Sequence, residues 1–247
     1  MPASEARDQR GTAERPSRSR LRRYAAQALV VALGLVPAAV LVADALGGRL
    51  SVNPIEDITH RTGEWTLYLL LTTLAVTPLR RLTGWGQLVR FRRTVGLLAF
   101  GYACLHFLTY IVLDQGLLLQ SGVLKYVGED VMKRPYITVG FTAFVLLLPL
   151  ALTSTKGWVR RLGGRRWNAL HRLVYLAGAA AVLHYLWLVK GEQLRPVWFA
   201  LVLVGLLAAR LVAARRRQSA AVGTVVSSRG TPSTSTRSRA AAPLTTR

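Results

Sequence analysis

Four histidines occur in the chain, and three of them fall inside strongly apolar stretches. His106 lies in VGLLAFGYACLHFLTYIVL, while His171 and His184 lie at the start and toward the end of a stretch covering 171–189. An ionisable side chain at membrane depth is costly unless something compensates it, so such a residue points to function. No Asp or Glu sits deep in any of these stretches, which argues against a proton relay or a carboxylate-rich metal site. Neutral imidazoles facing each other between helices suit a different task, axial ligation of a haem iron. The plainer reading of His106 and His184 is a hydrogen bond between helices, and of His171 a structural or headgroup contact. His60 lies just before an apolar stretch, in NPIEDITHRTGEW, where it could cap a helix, meet a quinone or flavin, or have no role.

The elements that must position these side chains are apolar segments at 24–46, 63–79, 95–113, 135–152, 171–189 and 196–214. A hydrocarbon core of about 30 Å needs roughly 20 helical residues at 1.5 Å each. The expected fold is therefore all-α, a six-helix transmembrane bundle occupying 24–214. Pro37 should bend the first helix, and Pro135 and Pro196 suit the opening turns of the fourth and sixth. Residues 1–23 and 215–247, rich in Arg, Ser, Thr, Ala and Pro, are expected to be disordered cytoplasmic tails. The first segment exceeds a usual signal core and reads as a span rather than a cleaved leader.

Depth arithmetic pairs two of the histidines. If the third helix enters near Val95, His106 lies roughly 17 Å along it; if the fifth enters near His171, His184 lies roughly 20 Å along. These two could clamp one haem between their helices. The level of His171 on the third helix falls instead near Arg92 and Arg93, where there is no second histidine.

Charge orients the bundle. The chain has 247 residues, 51% of them hydrophobic, and a net charge of +22. The apolar residues come in blocks with the arginines between them, so a water-soluble globule is excluded as the leading reading, and the basic charge is assigned to a membrane surface rather than to nucleic acid. The amino-terminal flank, the segment holding Arg80, Arg81, Arg90, Arg92 and Arg93, the segment from Lys156 to Arg172, and the residues from Arg210 onward carry twenty-six of the 33 basic residues. The alternate segments carry seven, with eight acids. The positive-inside rule then places both termini in the cytoplasm, and the paired Arg22 and Arg23 serve as topology anchors.

Other chemistry is thinly represented. The single cysteine, Cys104, excludes an intramolecular disulfide and any multi-cysteine metal site. There is neither a GxGxxG after a predicted strand nor a GxxxxGK[ST], and no soluble stretch could form a nicotinamide or flavin adenine dinucleotide domain. Electrons would have to come from another protein or a membrane-soluble carrier. Gly96, Gly101, Gly140 and Gly178 could allow close helix contact or room beside a macrocycle.

Five stretches, in order, carry a resemblance to a known family: NPIEDITHRTGEW (53–65), TPLRRLTG (77–84), RFRRTVGLLAFGYACLHFLTY (90–110), KRPYITVG (133–140) and LTSTKGWVRRLGGRRWNALHRLVYLAGAAAVLHYLW (152–187). The sequence resembles the MsrQ or YedZ family, the haem-binding membrane subunits of a methionine sulfoxide reductase system, within the wider ferric-reductase-like transmembrane group. The resemblance implies an inner-membrane protein with b-type haem (haem b), and allows bound flavin mononucleotide (FMN). It implies electrons drawn from the quinone pool and passed to a soluble molybdopterin-containing methionine sulfoxide reductase outside the cytoplasm. His106, His171 and His184 match the family histidines in its LHFLTY-like, LHRLVY and HYLW segments. That makes His106 and His184 ligands of the principal haem and leaves His171 for a second. The wider group often has two histidines on the third helix where this chain has one, so haem number stays open. The alternatives are a haem-containing ferric reductase and, from another class, a haem-free membrane assembly or transport protein.

Overall fold

Prolines, asparagines and glycines, more than apolarity, set where the helices begin and end. The computed structural model describes residues 18–114, 123–189 and 194–229, and all regular structure among them is helical. The helices are α1 (Arg18–Leu46), α2 (Pro54–Thr83), α3 (Val89–Thr109), α4 (Val123–Lys133), α5 (Pro135–Leu152), α6 (Lys156–Leu170), α7 (Leu173–Leu188) and α8 (Arg195–Arg229). The Asn53 side chain accepts from the Glu56 N–H ahead of α2, Pro54 opens it, and Glu56 and Asp57 complement the first-turn dipole. At the other end Gly84 takes the left-handed conformation, φ 73°, after Arg80 and Arg81 in the last turn. Helix α2 therefore begins nine residues before the apolar block that marks it in the sequence.

Residues 1–206 and 207–247 divide into two compact units. In the first, α2 is central. It buries Leu67, Leu70, Leu71, Leu74 and Val76 together with Thr62, Thr66 and Thr73, packing along α3 and touching α7. The three threonine hydroxyls donate to carbonyls one turn back, so burial leaves none unpaired. Helices α5 and α7 form the other closely packed pair. Pro37 interrupts α1, and next to it the Tyr102 hydroxyl of α3 accepts from the Ala38 N–H (3.0 Å) and donates to the Gly34 carbonyl (2.8 Å). An unbroken helix would join those two backbone groups directly. The second unit, among its described residues, is the continuation of α8 to Arg229.

Among the described residues, four helical segments are long and apolar enough to cross a membrane: Arg20–Leu46, Gly86–Leu113, Pro135–Leu152 and Arg195–Arg216. The pair α6 and α7, bent by 44°, makes a fifth if taken as one span. Helix α2 falls short because Glu64 and Arg80 bracket its uncharged run, so the count of six is approximate while the transmembrane all-α class stands. Many large apolar side chains face outward, including Leu29, Leu33 and Val40 of α1 and Leu201 and Val204 of α8, as lipid contact requires.

Two helices lie outside the sequence expectation. Helix α4 is short and amphipathic, and Asp130 ties it down by accepting from the Tyr110 hydroxyl and pairing with Arg134 at 3.0 Å. Helix α6 is arginine-rich, capped by Thr155 and broken at Gly163, whose φ of 72° suits only glycine. Neither carries an apolar block, which is why periodicity alone passes over them. Helix α1 begins at Arg18 and α8 runs to Arg229, so each extends into one of the expected tails, 1–23 and 215–247. The remaining tail residues, 1–17 and 230–247, lie outside the described residues.

Candidate functional site

The structure brings His106 of α3 and His184 of α7 together, with ring centroids 6.3 Å apart and planes at 69°. Two imidazoles bound to opposite faces of one iron, each through a nitrogen at about 2 Å, place their centroids about 6 Å apart. Each ring is held in the same way. His106 Nδ1 lies 2.9 Å from the Thr59 carbonyl of α2, and His184 Nδ1 lies 2.7 Å from the Tyr136 carbonyl of α5. A carbonyl only accepts, so both Nδ1 atoms carry the proton and both Nε2 atoms keep a free lone pair. That tautomer, fixed by a backbone acceptor behind the ring, is the one a histidine ligating a metal through Nε2 needs.

A glycine stands beside each histidine. A Cβ at Gly63 would lie 3.1 Å from His106 Cε1, and one at Gly140 would lie 2.8 Å from His184 Nδ1. Each glycine is four residues after the carbonyl that holds the ring, so carbonyl and glycine share one helix face. The α2/α3 and α5/α7 pairs thus repeat one device. Gly140 was expected from its size alone. Gly63 and the two carbonyls were not, although the THRTG (59–63) and YITVG (136–140) stretches, each ending in glycine, offer a faint signal.

Both histidines open into a cavity of about 630 Å³, within the range of roughly 300–1,000 Å³ typical of cofactor sites. Leu67, Ala103, Phe107, Phe144 and Leu147 form apolar wall, with Phe107 and Phe144 stacked at 4.8 Å. Toward the start of α2 and the α4–α5 corner the lining becomes polar, with Asn53, His60 and Arg134. His60 therefore belongs to the cavity. Among the described residues no group of three or more His, Cys, Asp or Glu could hold a metal ion. The histidine pair fits an iron whose other ligands come with a macrocycle, and the cavity, glycine gaps and aligned Nδ1 bonds all fit that group.

Glu64 adds a carboxylate to the cavity that the sequence reading does not assign to it. Because α2 starts early, Glu64 sits ten residues into it, lines the cavity and is only 14% exposed. It accepts from the Tyr185 hydroxyl at 2.7 Å and pairs with Arg195 at 3.2 Å. This cluster links α2, α7 and α8 at the cavity wall.

His171 is placed elsewhere. It follows α6 at the bend into α7, where Trp167 stacks on it at 3.8 Å. The Thr153 hydroxyl lies 3.2 Å from His171 Nε2 and gives its one hydrogen to the Pro149 carbonyl at 2.6 Å. Nε2 is therefore the donor, the opposite tautomer to the other two rings. Trp167 Nε1 donates to the Thr153 carbonyl and completes the corner. Cys104 is a half-buried free thiol on α3.

Residues 62–182 match the family model described as ferric reductase like transmembrane component. Among the most similar curated proteins, the "protein-methionine-sulfoxide reductase heme-binding subunit MsrQ" of Herminiimonas arsenicoxydans is 49% identical over 187 residues, covering 75% of this chain and 84% of that protein. The proteins of the same name from Rhodospirillum rubrum and Ralstonia nicotianae are 55% and 54% identical, over 70% and 65% of this chain and 82% and 72% of theirs. The chain belongs to the MsrQ family. With its several apolar helices it is a multi-pass membrane protein. These relatives are named as heme-binding subunits, and the matched family region contains Gly63, His106, Gly140 and His171 and ends two residues before His184.

Proposed function

We propose that this protein is the electron-transfer subunit of a methionine sulfoxide reductase system, holding one b-type haem between His106 and His184. The observation that carries this reading is the matched pair of rings, 6.3 Å apart and each tied through Nδ1 to a backbone carbonyl. When bound, the haem supplies one-electron exchange between Fe(III) and Fe(II). The Thr59 and Tyr136 carbonyls fix the tautomer and raise the basicity of Nε2. Phe107, Phe144, Leu67 and Leu147 keep water from the cavity, and Glu64 contributes negative charge to its wall, so these side chains set the potential. No residue is assigned to FMN. His171 is the remaining candidate for a second haem, and in that role it would have to give up its bond to Thr153 or coordinate through Nδ1.

In this reading the protein lies in the inner membrane with both arginine-rich ends cytoplasmic and residues 24–214 as the membrane domain, supported by the uneven spread of basic residues. The polar end of the cavity, at Asn53 and Arg134, then faces outward, toward a soluble molybdopterin-containing partner that carries out sulfoxide reduction. Electrons come from the quinone pool. The test is reconstitution: the purified subunit, a molybdopterin-containing methionine sulfoxide reductase and a quinol, with methionine sulfoxide consumption followed against time. Quinol-dependent turnover that is lost when His106 or His184 is replaced supports the assignment. Reduction of chelated ferric iron without delivery to the reductase would favour a ferric reductase, and a haem-free protein active in neither assay would remove both redox readings.

A further inference from the structure

A second cavity, of about 690 Å³, lies between α1 and α3 and shares no lining residue with the histidine cavity. Its walls are apolar, with Val31, Leu35 and Ala38 on one helix and Leu97 and Leu105 on the other, and one end is formed by Gln27, Arg90 and Arg93. Along the helices the groove extends about 16 Å on α1 and about 22 Å on α3, against about 15 Å for one leaflet's share of the hydrocarbon core. It therefore reaches from headgroup level to mid-bilayer.

Two guanidinium charges stand at its mouth. Among the described residues neither Arg90 nor Arg93 has an ion-pair partner, and no Asp or Glu occurs in 18–43 or 65–113, the sequence of both walls. Two guanidiniums at the end of an apolar slot need an anion that carries its own apolar tail. A quinone would fill the slot without meeting the charge, and a free anion would meet the charge without filling the slot. A second copy of this chain, itself at +22, would bring more positive charge.

We infer that this groove binds one anionic phospholipid, its phosphate held by Arg90 and Arg93 and one acyl chain lying between α1 and α3. The site is independent of the haem assignment. It is tested on the full-length protein in mild detergent by native mass spectrometry, titrating phosphatidylglycerol against phosphatidylcholine. The wild type should retain one phosphatidylglycerol with at least ten-fold preference. R90Q/R93Q should lose that preference, R90K/R93K should keep most of it, and R80Q/R81Q, in the same basic segment, should behave as wild type. G101L provides a second route that leaves the charges intact: a Cβ at Gly101 meets nothing within 4 Å, so a leucine there projects into the groove and should weaken retention at least ten-fold. Equal binding of the two lipids by wild type, an undiminished preference in R90Q/R93Q, or a neutral molecule such as a quinone in the groove would overturn the inference.

Discussion

Replacing Gly140 by alanine probes the histidine pair without touching a histidine. The new Cβ would lie 2.8 Å from His184 Nδ1, whereas ordinary contact begins near 3.4 Å, so the ring must retreat by about 0.6 Å. Metal–nitrogen distances tolerate changes of only about 0.2 Å, and the retreat also stretches the 2.7 Å bond to the Tyr136 carbonyl. Loss of such a supporting contact typically costs 10–100-fold in metal affinity. Gly63→Ala is the graded comparison: its Cβ would be 3.1 Å from His106 Cε1, requiring about half the movement. Gly205→Ala, where a Cβ meets nothing within 4 Å, is the control. Haem titration into the apoprotein, followed by absorbance, should rank the affinities as control, then Gly63→Ala, then Gly140→Ala, the last at least ten-fold below wild type. Full haem affinity and an unchanged spectrum in Gly140→Ala, or a greater loss in Gly63→Ala, would refute the packing argument.

Other outcomes follow from the same geometry. Glu64→Gln removes a negative charge from the cavity wall and leaves Arg195 uncompensated; both effects disfavour the ferric state, so a redox titration should show the midpoint potential rising by tens of millivolts. Tyr102→Phe removes the hydroxyl between Ala38 and Gly34; since those two backbone groups can rejoin, thermal unfolding in detergent should show a loss of about 1 kcal/mol, with the haem spectrum unaltered. His171→Ala should lower the melting temperature by emptying the corner between Thr153 and Trp167, while the absorption band of the His106–His184 centre stays as in wild type. For topology, alkaline phosphatase fused after residue 247 should be inactive and a green fluorescent protein fused there bright; the reverse pattern would contradict the assigned orientation.

The histidine pair was legible because an ionisable group in an apolar run stands out, and because helical rise sets depth well enough to match His106 with His184. What holds the rings was not legible. Thr59 and Tyr136 act through backbone carbonyls, which every residue possesses, so side-chain identity says nothing of the role. Gly140 could be suspected from its size, but its contact with His184 depends on how α5 meets α7. Hydropathy starts the second helix at Gly63, whereas Asn53 and Pro54 start it nine residues earlier and carry Glu64 inside it; capping outweighs hydropathy. The same bias passed over α4 and α6, whose short and charged sequences resemble loops. Pro37 announces a disturbance in α1, but the hydroxyl that accepts from Ala38 belongs to Tyr102, sixty-four positions from Ala38. The opposite tautomer of His171 follows from Thr153 and Pro149, and no local pattern around His171 encodes it.

The central claim is that His106 and His184 together hold a haem. The most direct measurement is the dithionite-reduced minus oxidised spectrum of the purified protein after haem-replete expression, with haem content per chain, for wild type, His106→Ala and His184→Ala. The account predicts a b-type α band in wild type and its loss, with the loss of that haem, in each variant. Absence of the band in wild type, or its survival at full intensity in both variants, would contradict it.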